Sequence, residues 1–247
     1  MKKLIALLLA FVLVLSMAAC GAAEAEEPAT TAEVTEAATE EVTEAPTEEP
    51  TEAPTEAPTE APTEAAVNVA ELFGNLDGNV YTNTYLGLKF NAGSDMRLLT
   101  QEEIQKVYGN AMNLMDKETS EFAQDAIIMD MMATNDTTGD NVIVQIINNP
   151  LVALAYGMQK GNFLDSMLTG AAQALTSNGM SDVKTDSTTG TFCGIECDIL
   201  TASGSLMGVS ITQTYYVYSN GTYLITIAFT SLQSDVSGMV SRFEPLR

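Results

Sequence analysis

From Thr43 to Pro62 the chain repeats Thr-Glu-Ala-Pro with few errors, placing a proline at every fourth residue. No other feature limits the fold so strongly. Each proline removes a backbone donor and clashes with the preceding turn, so no helix can form there. The surrounding stretch 21–66 holds 14 glutamates, no lysine or arginine, and no large apolar residue except Val34 and Val42. Such a segment cannot bury enough apolar surface to offset its ordering entropy. It is expected to be a disordered tether with much polyproline-II character, reaching about 140 Å if fully extended. Any packed core must then come from residues 67–247, a length suited to one domain that needs no disulfide or metal to stabilise it.

The other end of the tether is equally patterned. Lys2 and Lys3 precede an apolar run from Leu4 to Ala19, and Met17-Ala18-Ala19-Cys20-Gly21 closes it. The run is shorter than a bilayer span requires. Its layout is that of a secretory signal, residues 1–19. Met17 to Cys20 resembles a bacterial lipobox, which implies that Cys20 is acylated and becomes the mature N-terminus. The sequence thus divides into a signal peptide (1–19), a lipidated cysteine with its linker (20–66) and a globular domain (67–247). The expected location is the extracellular face of the cell membrane, with the lipid on Cys20 as the membrane contact. A tether this long suits the thick wall of a Gram-positive cell.

Charge and composition exclude several functions. Residues 67–247 carry 19 acidic against 8 basic side chains, and the whole chain has net charge -23. An acidic surface repels nucleic acid. There is no histidine, which removes the commonest general base, the Ser-His and Cys-His nucleophile pairs, and the usual zinc or copper ligand. No cofactor is expected.

Within the domain, Asn79–Asn83 and Leu86–Asn91 read as a hairpin. Thr100-Gln-Glu-Glu103 reads as a capping box opening a helix to about Leu114. Residues 126–133 and 142–147 read as strands, the second ended by Pro150. Apolar residues recur at helical spacing over 163–177, with Asn162 as cap and Asn178-Gly179 as the stop. A meander is expected at 184–192, 196–202, 206–218 and 222–230. Its turns are placed at Gly194-Ile195, Ser203-Gly204 and Asn220-Gly221, the last a two-residue type I′ turn. A short helix at 233–241 ends the domain. The Asn220-Gly221 turn would pair Tyr218 with Tyr223 and Tyr216 with Ile225, which leaves neither face of the hairpin polar. Both faces are therefore covered, and the expected fold is α+β, an α/β/α sandwich around a central antiparallel sheet.

This order of elements is similar to that of the PsbP/Mog1-like domain. Tyr81-Thr-Asn-Thr-Tyr85-Leu-Gly-Leu-Lys-Phe90 resembles the Y-x-N-x-x-L-G-x-x-F opening of small domains in clostridial surface lipoproteins, although Asn91-Ala-Gly-Ser-Asp95 stands where those proteins often carry P-x-G-W. The resemblance implies the fold and a binding or assembly role. It assigns no functional residue.

Asp125, Asp130, Asp136 and Asp140 fall in one predicted hairpin and could cradle a hard cation, but turn chemistry explains them better. Met129, Met131 and Met132 could hold Cu(I), yet methionine is more often a core gap-filler. Glu102 and Glu103 suit a helix start. Cys193 and Cys197 would face one another across a Gly194-Ile195-Glu196 loop and form a disulfide, a bridge that depends on that turn. The sequence favours a monomeric, non-enzymatic binding or assembly module with a protein or cell-wall partner. A carboxylate-based cell-wall hydrolase and a solute-binding lipoprotein are the alternatives.

Overall fold

A computed structural model describes residues 69–112, 117–232 and 235–246. The signal, Cys20 and the linker lie outside the described residues. A single 3-10 turn (Val69–Leu72) leads into β1 (Asn75–Asp77), β2 (Val80–Asn83), β3 (Leu88–Asn91) and β4 (Arg97–Leu98). Helices α1 (Gln101–Met112) and α2 (Lys117–Ala126) precede β5 (Ile127–Thr134) and β6 (Asn141–Ile147). Helices α3 (Pro150–Met158) and α4 (Lys160–Ser177) follow. Then come β7 (Ser181–Phe192), β8 (Ile195–Leu206), β9 (Val209–Ser219), β10 (Leu224–Ser231), α5 (Ser237–Val240) and β11 (Phe243–Pro245). The main sheet has seven strands in the order β4-β5-β6-β10-β9-β8-β7, and a second sheet runs β1-β2-β3-β11. All pairings are antiparallel.

The α+β class and the central antiparallel sheet are as the sequence implies, and both sheet faces are covered. One cover is helical. Ile104, Tyr108 and Met112 of α1, Val152 and Tyr156 of α3, and Phe163 and Met167 of α4 pack on Met129, Ile143, Leu200, Tyr215, Val217 and Leu224. The other cover is a mixed layer. Tyr81, Leu88 and Phe90 of the small sheet, with Met239 of α5 and Phe243 of β11, pack on Val142, Val144, Ile146, Ile225, Ile227 and Phe229. β6 and β10, sandwiched between the two covers, are buried at every residue.

The capping box forms as read. The Glu103 N–H donates to Thr100 Oγ1 at 3.3 Å, and the Thr100 N–H donates to Glu103 Oε2 at 2.9 Å. Helix α3 is not among the expected elements, in which Pro150 only stops a strand. The Asn149 side chain accepts from the Leu151 and Val152 N–H groups, with Pro150 as the first helical residue. Asn caps and Pro opens a helix for the same reason: the first N–H groups lack intrahelical partners. Helix α4 begins at Lys160, and Gln159 rather than Asn162 occupies its N-cap.

Three turns differ from the expected ones. Cys193 (φ 51) and Gly194 (φ 85) form the β7–β8 turn, and Met207 (φ 52) with Gly208 (φ 80) form the β8–β9 turn. Two successive positive φ values are what a type I′ turn requires. Gly204 is inside β8, where an added Cβ would meet Met180 Cε at 2.8 Å and the Ser181 carbonyl oxygen at 2.9 Å. That glycine serves close packing, not a turn. At Asn220 the loop spans four residues, because Asn220 Oδ1 accepts from the Thr222 and Tyr223 N–H groups and its Nδ2 donates to the Tyr85 hydroxyl. Tyr218 therefore pairs with Ile225, not Tyr223. The slip is two residues, so every side chain keeps its expected face.

The expected disulfide is absent. Both cysteines are free, because a two-residue turn at Cys193-Gly194 replaces the three-residue loop 194–196 that the bridge needs. Cys193 occupies the turn itself, and Cys197 stands opposite Gly190.

Candidate functional site

β8 and β9 stay paired from Leu206 opposite Val209 down to Asp198 opposite Val217, and there the ladder stops. β7 continues to follow β8 as far as the Cys193 turn, and β10 follows β9 to Ser219. The main sheet thus splits at this end between β8 and β9. The gap is a cleft of about 570 Å³ lined by Thr189, Gly190 and Thr191 of β7, Glu196 and Cys197 of β8, Tyr218 and Ser219 of β9, and Tyr156 with Lys160. The last two come from the α3–α4 junction. Gln159 breaks the helix there (φ -130, ψ 44), letting Tyr156 and Lys160 point to the same carboxylate.

That carboxylate is Asp198, which is buried. Lys160 Nζ lies 2.8 Å from Asp198 Oδ2, and the Tyr156 hydroxyl donates to the same oxygen. The Lys160 ammonium also stands 5.4 Å over the Tyr156 ring, within cation–π range. Lys160 itself is half-exposed at the cleft. The charge of Asp198 is thus met within the fold.

The phenols and the thiol of the cleft are all shifted upward. Burial pushes the Tyr156 hydroxyl pKa well above its ordinary value, and the Asp198 carboxylate adds to the rise. Burial raises the Cys197 thiol, with Asp198 adding and Lys160 opposing. Burial and the two cysteines raise Tyr218. A protonated thiol is a weak nucleophile. Cys193 is likewise pushed up to about 11, by burial and then by Glu244. Among the described cleft residues, Tyr218 has a buried side-chain group left unmet. It is only 7% exposed, and its hydroxyl has no hydrogen-bond partner among the described residues. A buried hydroxyl in that state carries a desolvation cost that a ligand could remove.

The acidic residues singled out from the sequence do not converge. Asp125 is exposed near the end of α2, not in the hairpin. Asp136 pairs with Arg97 at 3.9 Å. Asp140 accepts from Thr138 Oγ1 and from the Leu232 N–H. Asp130 is buried at a bulge in β5 and serves the interior. It accepts from the Gly74 N–H at 2.8 Å, from Asn83 Nδ2 at 2.6 Å and from the Tyr81 hydroxyl. Among the described residues no three His, Cys, Asp or Glu side chains form a metal-binding group. The methionines divide across the sheet: Met129 and Met132 face the helices, and Met131 faces the small sheet. Glu102 is exposed, and Glu103 bonds to Thr100 and to Arg97 at 2.8 Å. The two carboxylates buried among the described residues, Asp130 and Asp198, point to opposite faces of the main sheet, toward Tyr81 and Tyr156 respectively. They cannot share one substrate. Sequence reasoning missed the cleft because its parts are 42 and 61 residues apart along the chain, as in the bonds from Tyr156 to Asp198 and to the Val217 carbonyl.

No protein-family model matches the chain, and no curated protein matches it. Among solved structures, the chain is similar to the solution structure of cyanobacterial PsbP from Synechocystis sp. PCC 6803, at 13% identity and TM-score 0.38, over 75% of this chain and 99% of that one. It is also similar to a crystal structure from Bacteroides thetaiotaomicron, at 9% identity and TM-score 0.33, over 65% of this chain. That match spans 46% of the Bacteroides chain, less than half its length.

Proposed function

We propose that the chain is a membrane-anchored extracellular lipoprotein that displays a non-enzymatic binding domain on an acidic tether. The anchor reading rests on Cys20 and the apolar run before it. The binding reading is carried by the cleft. It is ligand-sized and has the buried, unpartnered Tyr218 hydroxyl, while its thiol and phenols are held protonated and its buried carboxylate is tied to Lys160. That combination suits recognition better than proton or acyl transfer. Cell-wall polymer would surround a domain displayed at that surface, so its fragments are the first ligands to try.

Two measurements test this. Cys20→Ser should abolish fatty-acyl labelling in a bacterial host, and continued labelling would refute the anchor. A mixture of muropeptides should raise the melting temperature of the exported chain without any change in the chromatographic profile of the mixture. Tyr218→Phe should leave the ligand-free melting temperature equal or higher, since it removes an unmet buried hydroxyl, yet should abolish the muropeptide-induced rise. Conversion of muropeptides to smaller products would overturn the non-enzymatic reading. A rise that survives Tyr218→Phe would move the ligand out of the cleft.

A further inference from the structure

The two edges of the main sheet are unequal. β4 has two residues, whereas β7 has twelve and is exposed along most of its length. From Lys184 to Phe192 it pairs with β8 without interruption. This segment holds no proline, and its only charges are Lys184 and Asp186. Residues along an antiparallel pair alternate in the direction of their backbone groups. Phe192 and Ile195 close the two-residue turn and face one another. Thr191, Thr189, Ser187 and Thr185 therefore turn their N–H and C=O groups away from β8. An open row of this kind is a template for another strand.

The charges select the strand. Lys184 stands opposite Ser203 in β8, and Asp186 opposite Thr201, so neither faces a charge within its own sheet. Among the described residues neither belongs to an ion pair. They lie on one face with Thr185 between them. A two-fold axis through Thr185 puts each Lys184 opposite the Asp186 of a second copy, so two opposite-charge pairs form at once. Moving the axis by one residue puts Lys184 opposite Lys184, or Asp186 opposite Asp186, and both are repulsive. The bulge at Asp182 (φ 55) bends the strand and ends the ladder on each side.

The geometry points to a homodimer in which two copies pair antiparallel through β7, with Thr185 opposite Thr185, making the two seven-stranded sheets continuous. It replaces the monomer that the sequence suggested, and it stands independently of the cleft.

Disulfide trapping of the full chain in intact cells tests it. Opposed Cα atoms at the axis lie about 5.5 Å apart, within bridging range. Thr185→Cys should therefore give a covalent dimer on mild copper-phenanthroline oxidation. Thr191→Cys should not, because its two copies would be about 40 Å apart at strand spacing. Adding K184D or D186K to Thr185→Cys should lower the dimer yield at least five-fold, and adding both should restore it. Surface charges on an edge strand leave the fold intact, which far-ultraviolet circular dichroism of each purified variant checks. The proposal is overturned if folded Thr185→Cys gives no dimer, if Thr191→Cys cross-links equally, or if the double charge exchange fails to restore the yield.

Discussion

Asp130→Asn should destabilise the domain by about 2–4 kcal/mol, read as a fall of roughly 5–12 °C in melting temperature. Three donors converge on the Asp130 carboxylate: the Gly74 N–H on one oxygen, and the Tyr81 hydroxyl and Asn83 Nδ2 on the other. An amide offers one acceptor and one NH2 group, so either orientation sets donor against donor. Relaxation is restricted. Asn83 is itself bound to the Leu72 carbonyl and the Leu86 N–H, and a Cβ at Gly74 would lie 2.3 Å from the Tyr81 ring. The three donors belong to the segment before β1 and to β2, while Asp130 belongs to β5 of the main sheet. The carboxylate therefore pins one sheet to the other.

The pH dependence of that loss has a definite sign. Burial raises the Asp130 pKa, with the hydrogen bonds from Tyr81, Gly74 and Asn83 opposing. A carboxyl raised in the folded state binds its proton more tightly there than in the unfolded chain. Its contribution is fully present below the ordinary carboxylate range and diminishes as pH rises through that range to the raised value. Asparagine does not titrate. The stability gap between the native chain and Asp130→Asn should therefore narrow as pH rises above the ordinary carboxylate range. A gap that widened would mean that the three donors outweigh burial and depress the pKa.

Local chemistry was legible in the sequence wherever one short segment contained all of it. The Thr100–Glu103 box needs four residues, and it formed as read. The two-faced burial of β9 and β10 followed from alternation alone, so it survived the two-residue slip at Asn220. What alternation could not supply was the fate of Asn220 itself, whose side chain is engaged by Tyr85, 135 residues away in sequence. The same limit governs Gly204, which looks like a turn residue until Met180 and Ser181 are seen pressing on it. Cys193 is the costliest case. A non-glycine residue at φ 51 is uncommon, and nothing adjacent to it announces the conformation. That shorter, earlier turn decides between a bridge and two free thiols. The cleft was illegible for a related reason: Tyr156, Lys160, Asp198 and Tyr218 lie on four elements with no motif among them. Pro150 alone offered a signal that was readable and missed, since Asn-Pro fits the start of a helix as well as the end of a strand.

Phe243→Ala should be the most damaging single truncation near the C-terminus, costing about 3–5 kcal/mol. β11 has only three residues, too few to be held by its ladder alone. Its register sets Phe243 opposite Phe90 of β3, with ring centroids 4.7 Å apart. The same ring lies 5.0 Å from that of Phe192 on β7 and 5.8 Å from that of Phe229 on β10. One side chain thus joins the small sheet to two strands of the main one, and each aromatic pair adds to the area it buries. Phe243→Leu keeps most of the volume but loses the ring geometry, and should cost less than half as much. Urea unfolding of the three proteins would give the order, and hydrogen exchange should show β3 and β11 losing protection before β6 and β10 in Phe243→Ala. The ring of Phe192 also lies 4.8 Å from that of Tyr216 on β9. A loss below about 1 kcal/mol for Phe243→Ala would mean that the small sheet docks through Tyr81 and Asp130 without help from the C-terminal strand.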